Sequence, residues 1–150
     1  MDKKGLRGSA SARIDDKGRL KIPTQFRGLV RDQTGAEVFV TSLTGECVRI
    51  YPMAVWLAVE QKVLEMPSNL PARLKFLDRV NYYGLEGELD GQGRVVISPL
   101  LREHAAIVGD VSVIGRINHL EVWNVERFNA KLVREPWGDR DGLKLSKHGV

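Results

Sequence analysis

Apolar and polar positions alternate with period two on both sides of the stretch Asp16-Lys17-Gly18. Ala12, Ile14, Leu20 and Ile22 are apolar, while Arg13, Asp15, Arg19 and Lys21 are charged. Two short strands with one buried face, joined by a tight turn, produce this pattern. Asp accepts backbone hydrogen bonds in such a turn and Gly takes positive φ without steric cost, so a hairpin with residues 16–18 at its tip is predicted. The β-rich runs "EVFVT" (37–41), "CVRIY" (47–51), "VSVI" (111–114) and "LEVW" (120–123) predict four more strands. Helical spacing places Trp56, Val59 and Val63 on one stripe after Pro52, in a helix running to about Glu65. It also groups Leu70, Leu74, Leu77 and Val80, and then Val125, Phe128 and Leu132 behind an Asn124 cap. Aromatic residues at these spacings are read as core. Pro23 and Pro99 suit the first turn of short helices, where a missing N–H is harmless.

The alternation around residues 16–18 occurs twice. Asp15, Gly18, Arg19 and Ile22 fall on Asp90, Gly93, Arg94 and Ile97 at a constant offset of 75, which also places Phe26-Arg27 on Leu101-Arg102. Further on, "GAEVFVT" (35–41) matches "GDVSVIG" (109–115), and "CVRIYPMAVW" (47–56) matches "HLEVWNVERF" (119–128) at an offset of 72. The chain is therefore divided into a first repeat (6–66), a connecting helix (67–83), a second repeat (84–135) and a loose Gly- and charge-rich tail (136–150). A single copy of some 50 residues buries too little surface to be stable. Two copies closing on one another into a small β-barrel would remove the exposed edges. The expected class is mainly β with short helices packed around the barrel.

Composition narrows the function. The 150 residues are 43% hydrophobic, but no apolar run reaches membrane-spanning length and the basic start lacks a secretory apolar segment, so a cytoplasmic protein is expected. Cys47 has no second thiol to pair with and is read as a small buried hydrophobe. The net charge of +4 is unevenly placed: residues 1–31 hold nine Lys or Arg against three Asp, and the other 119 residues net −2. Such a basic segment suits an anionic partner.

The residues for catalysis are few. His104, His119 and His148 are scattered without ligand partners at metal spacing, and Asp15 and Asp16 point to opposite faces of a strand pair. Gly91 and Gly93 lie between strands rather than before a helix, which does not make a phosphate loop. No enzyme, metal ion or cofactor is expected. For nucleic acid the chain is better equipped. Arg13, Arg19 and Lys21 form an exposed stripe with Lys17 at the tip, whereas the second copy has Glu88, Arg94 and Val96, with Gln92 at the tip. A two-stranded ribbon can enter the major groove, so the first hairpin is the candidate reader. There Asp15 would orient the Arg19 guanidinium towards DNA; Asp90 and Arg94 are read first as a surface ion pair.

"IDDKGRLKIPTQFR" (14–27), "IYPMAVW" (50–56), "ELDGQGRVVISPLLR" (88–102) and "VSVIGRINHLEVWN" (111–124), in this order, resemble the MraZ transcriptional regulators of bacteria from Leu6 to about Glu135. The resemblance implies an AbrB-like swapped-hairpin β-barrel of two repeats and a ring-shaped homo-oligomer associated with the nucleoid. It implies binding to double-stranded DNA at short G-containing direct repeats upstream of the division and cell-wall gene cluster. DNA contact is carried onto Asp15 and Arg19, and formally onto Asp90 and Arg94. Ser98 stands where the family usually has proline and is expected to cap the following helix. The alternative reading is an oligomeric structural or protein-interaction module.

Overall fold

The structure is a computed structural model that describes residues 5–150, apart from the side chains of residues 29 and 31–34. Lys3, Lys4 and the Arg31 side chain, which contribute to the basic amino-terminal count, lie outside the described residues.

The first repeat contributes β1 (Ser9–Arg13), β2 (Arg19–Lys21), α1 (Thr24–Thr34), β3 (Glu37–Thr41), β4 (Val48–Pro52) and α2 (Met53–Leu64). Helix α3 (Pro71–Tyr82) connects it to β5 (Leu85–Glu88), β6 (Arg94–Val96), α4 (Pro99–His104), β7 (Asp110–Gly115), β8 (Leu120–Asn124) and α5 (Val125–Arg134). A last helix, α6 (Asp139–Ser146), follows. The described residues thus form two β-sheets of eight short strands in all, with six short helices. Local chemistry sets the helix starts: Ser98 Oγ accepts the Leu101 N–H at 3.3 Å with Pro99 in the first turn of α4, and Asn124 Oδ1 accepts the Arg127 N–H at 3.0 Å.

The tight turns form, but their flanking strands do not pair as hairpins, which corrects the local reading. Between β1 and β2 the only ladder contact is the bridge between Ile14 and Leu20. Instead β1 pairs antiparallel with β7, β5 pairs with β3, and β2 pairs with β6 across the repeats. The exchange has an energetic reason. In a closed hairpin the apolar face of Leu20 and Ile22 would meet only its own repeat, whereas in the exchanged pairing Leu20, Ile22, Val95 and Ile97 are all fully buried in one shared core.

The six-stranded sheet has the order β1-β7-β8-β4-β3-β5, and β2-β6 forms a separate two-stranded sheet. Exchanging each strand for its repeat equivalent reverses this order onto itself, so the two repeats are related by an internal two-fold axis. The axis passes where a strand pairs with its own equivalent. On β2-β6 Leu20 faces Val95, 75 residues on; on β4-β8 Arg49 faces Glu121, 72 residues on. Both offsets were legible in the sequence.

A second apolar cluster of Phe39, Tyr51, Trp56 and Val80 sits under α2 and α3, with the Phe39 and Trp56 rings stacked at 4.6 Å. The α5 stripe differs from expectation. Phe128 packs on Trp123, but α5 has no buried residue and Leu132 is 57% exposed. The tail is partly ordered as α6, with Asp141 accepting the Gly138 N–H at 2.9 Å, and it too buries no side chain.

Candidate nucleic-acid interface

Each Asp-x-x-Gly-Arg turn is built by its aspartate. Asp15 Oδ1 accepts the N–H groups of Lys17 at 3.0 Å and Arg19 at 2.8 Å, and Oδ2 accepts Arg19 Nε at 2.8 Å. Asp90 repeats the arrangement with Gln92 and Arg94, at 2.9 Å for each N–H and 2.7 Å for Nε. One carboxylate thus closes the turn and fixes the arginine. The Arg19 N–H is the main cause that holds the Asp15 carboxyl below its ordinary value; the Arg94 N–H does the same for Asp90, whose carboxyl is pushed down to about 2. In each pair Nε is occupied by the aspartate, and the geometry that orients the guanidinium is the same in both copies.

The exchanged pairing redistributes the sequence-predicted residues. On β2-β6 Leu20 and Val95 point into the core, so Arg19, Lys21, Arg94 and Val96 project from the opposite face. Lys21 lies directly opposite Arg94, and Arg19 opposite Val96. The structure therefore brings Arg94 of the second copy onto the same face as Arg19 and Lys21, with exposed Lys17 at the first tip. Like charges directly opposite one another destabilise a ladder. Lys21 and Arg94 are such a pair, and the Asp90 carboxylate on Arg94 Nε relieves it in part.

Arg13 does not belong to this ribbon. It ends β1, faces Asp110 of β7 and makes a 2.9 Å ion pair with it on an exposed surface. Its equivalent, Glu88, faces Glu37 across the β5–β3 ladder. The single stripe of Arg13, Arg19 and Lys21 expected from a closed hairpin is split in two, because β1 and β2 belong to different sheets.

Two arginines beside the motif turns were not singled out by the sequence reading. Arg27 donates Nε to the Ile22 carbonyl at 2.7 Å, and Arg102 donates to the Ile97 carbonyl at 3.0 Å. Each lies against the motif turn of the other repeat. Their signal was present in the sequence, since both fall on the constant offset of 75, but no spacing rule links residue 102 to a turn at residue 18.

Elsewhere, Cys47 is buried as expected and burial pushes its thiol up to about 12. Burial, reinforced by the nearby charge of Arg49, pushes His119 down to about 4, so its ring stacks neutral on Tyr51 at 4.6 Å. Among the described residues no group of three or more His, Cys, Asp or Glu is arranged to hold a metal ion, and no helix is long and apolar enough to cross a membrane.

Fold and site together define a two-repeat protein in which two aspartate-closed turns flank a β-ribbon shared between the repeats. A family model described as "MraZ protein, putative antitoxin-like" matches residues 6–79 and 85–135, and the chain belongs to the MraZ family. The Transcriptional regulator MraZ of Acidobacterium capsulatum is 44% identical over 145 residues, covering 97% of this chain and 99% of that one. Its namesake from Koribacter versatilis is 43% identical over 146 residues, again 97% and 99%. The one from Syntrophobacter fumaroxidans is 35% identical over 132 residues, 88% and 87%. The family is thus one of transcriptional regulators rather than enzymes.

Proposed function

We propose that the protein regulates transcription by binding double-stranded DNA through the β2-β6 face, at short direct repeats upstream of the division and cell-wall gene cluster. The observation that carries this reading is the Lys21–Arg94 pair, exposed at Lys21 and half-buried at Arg94, flanked by Arg19, whose guanidinium Asp15 holds in place. Two antiparallel strands fit the major groove, and arginine or lysine on them can donate to guanine O6 and N7 or to phosphates. Asp15 and Asp90 serve as positioning groups, Arg19, Lys21, Lys17 and Arg94 as contacts, and Arg13 as a flanking one. The reading places the protein in the cytoplasm at the nucleoid, and it takes the exchanged strands as two swapped hairpins closing a barrel.

A ring of identical chains fits this reading. One protomer carries two different apolar surfaces: a groove of about 400 Å³ between α2 and α3, lined by Val59, Val63, Met66, Leu70 and Phe76, and the exposed Leu132 and Val133 of α5. Unlike surfaces on one chain are what a head-to-tail contact needs. Several ribbons meeting tandem sites would then strengthen binding by about 10²-fold through effective concentration. The same apolar surfaces favour the second reading, an oligomeric interaction module.

The decisive experiment is a footprint on DNA upstream of the protein's own gene, with the parent and with Arg19→Ala and Arg94→Ala, over a salt series. Protection that Arg19→Ala abolishes and salt weakens steeply supports the reading. Absence of protection at every salt concentration, from an assembly intact by sedimentation, would move the assignment to the interaction module.

A further inference from the structure

Each motif turn is completed from the other repeat. Gly18 has φ +81° and Gly93 φ +74°, a conformation that favours glycine. A side chain at either position would also displace an arginine of the other repeat. A Cβ at Gly18 would lie 2.6 Å from Cζ of Arg102, and one at Gly93 would lie 2.5 Å from Cδ of Arg27. The backbones are tied in the same crossed sense, the Ile97 N–H donating to the Gly18 carbonyl and the Ile22 N–H to the Gly93 carbonyl, both at 2.9 Å. Nε anchors each arginine to a carbonyl, Arg27 to that of Ile22 and Arg102 to that of Ile97. Among the described residues neither guanidinium forms an ion pair and each donates a hydrogen bond through Nε alone, so its terminal N–H groups can meet an outside acceptor.

We propose that each turn and the arginine laid across it form one composite phosphate site: Arg102 with the Gly18 turn, and Arg27 with the Gly93 turn. The proposal rests on the DNA reading and extends it from the ribbon to two flanking grips. A planar guanidinium matches phosphate oxygens two at a time, and anchoring Nε fixes its orientation before the ligand arrives. The aspartates of the motif do not oppose this, because Asp15 and Asp90 are each neutralised by their own arginine. Asp16 at the first tip is offset by neighbouring Lys17. The ligand is a phosphate, either a diester of the duplex backbone or a free anion of the same chemistry. Its grip on the first turn would depend on a side chain 84 positions further along the chain.

The test uses the full-length protein, Arg27→Ala, Arg102→Ala and Arg102→Lys, each checked by sedimentation and thermal unfolding. Duplex affinity is measured against salt, and deuterium exchange is followed in peptides covering 15–19 and 90–94, with duplex or with inorganic pyrophosphate. Each alanine variant is expected to bind duplex about tenfold more weakly, with the slope of log K against log salt shallower by about one; Arg102→Lys recovers the slope. Arg102→Ala should lose ligand protection at 15–19 and keep it at 90–94, and Arg27→Ala the reverse. A weaker affinity with an unchanged slope reduces both arginines to packing and overturns the proposal, as does loss of protection at the turn of the same repeat. Protection by pyrophosphate but not by duplex keeps the composite sites and removes the DNA reading. Protection by neither ligand removes the sites.

Discussion

Arg49 lies directly opposite Glu121 at the centre of the six-stranded sheet, and the internal repeat makes Glu121 its own counterpart. The axis that relates the copies therefore passes between residues of opposite charge. Glu121 is buried and accepts Trp123 Nε1 at 2.8 Å and a terminal nitrogen of Arg116 at 3.0 Å, with Arg49 Nε at 3.8 Å. Burial alone would raise its carboxyl, but the indole N–H and the Arg116 guanidinium outweigh it and hold the carboxyl below its ordinary value of 4.5.

Glu121→Ala should destabilise the protein by about 3 kcal/mol, because two guanidinium groups and an indole lose their shared acceptor. Urea unfolding monitored by tryptophan fluorescence measures this. The sign of the pH dependence follows from the lowered carboxyl. The stabilisation is complete above about pH 4.5 and is lost as the pH falls through the folded-state value.

The turns should show the same sign of pH dependence. Asp15 and Asp90 both titrate below 3.8 in the folded protein, Asp90 near 2, so the bonds closing the turns persist at pH 4 and fail on further acidification. NMR titration of the two carboxyl carbons provides the check, and a value at or above 3.8 for either would contradict the turn geometry.

Charge reversal at Lys21 separates stability from function. Lys21→Glu turns the like-charged pair with Arg94 into an attractive one and should stabilise the free protein by about 0.5 kcal/mol while abolishing DNA binding. Arg13→Ala should weaken binding less than Arg19→Ala, since Arg13 lies on β1 in the six-stranded sheet, away from the β2-β6 ribbon. Thermal melts and fluorescence anisotropy on one set of variants test both statements.

Cys47 should resist maleimide at neutral pH in the native state, its buried thiol being held protonated by a value near 12, and react fully once urea unfolds the chain. Mass spectrometry before and after denaturation reads the difference.

The sequence carried the repeat, the turns and most elements, because these follow from local alternation and from Gly and Pro positions. Even the drift from 75 to 72 marks the two places where the axis crosses a strand pair. What it did not carry was which strand pairs with which. Leu20 alternates identically whether β2 pairs with β1 or with β6, and only the shared burial of Leu20 with Val95 distinguishes them. For that reason Arg13 was grouped with Arg19, Arg94 was set apart from Lys21, and Arg27 and Arg102 passed as repeat markers. The α5 stripe misled for a different cause: its spacing is that of a core helix, but nothing within the described chain covers Leu132.

A sheet order that reverses onto itself makes this chain a dimer joined end to end by its own peptide backbone. Helix α3 acts as the tether that keeps the halves at high effective concentration, so the partner strand for β2 never has to be found by diffusion. Cutting that tether would turn folding into a second-order reaction, and a first repeat expressed alone would need a second copy of itself, Leu20 against Leu20, to bury what Val95 now covers.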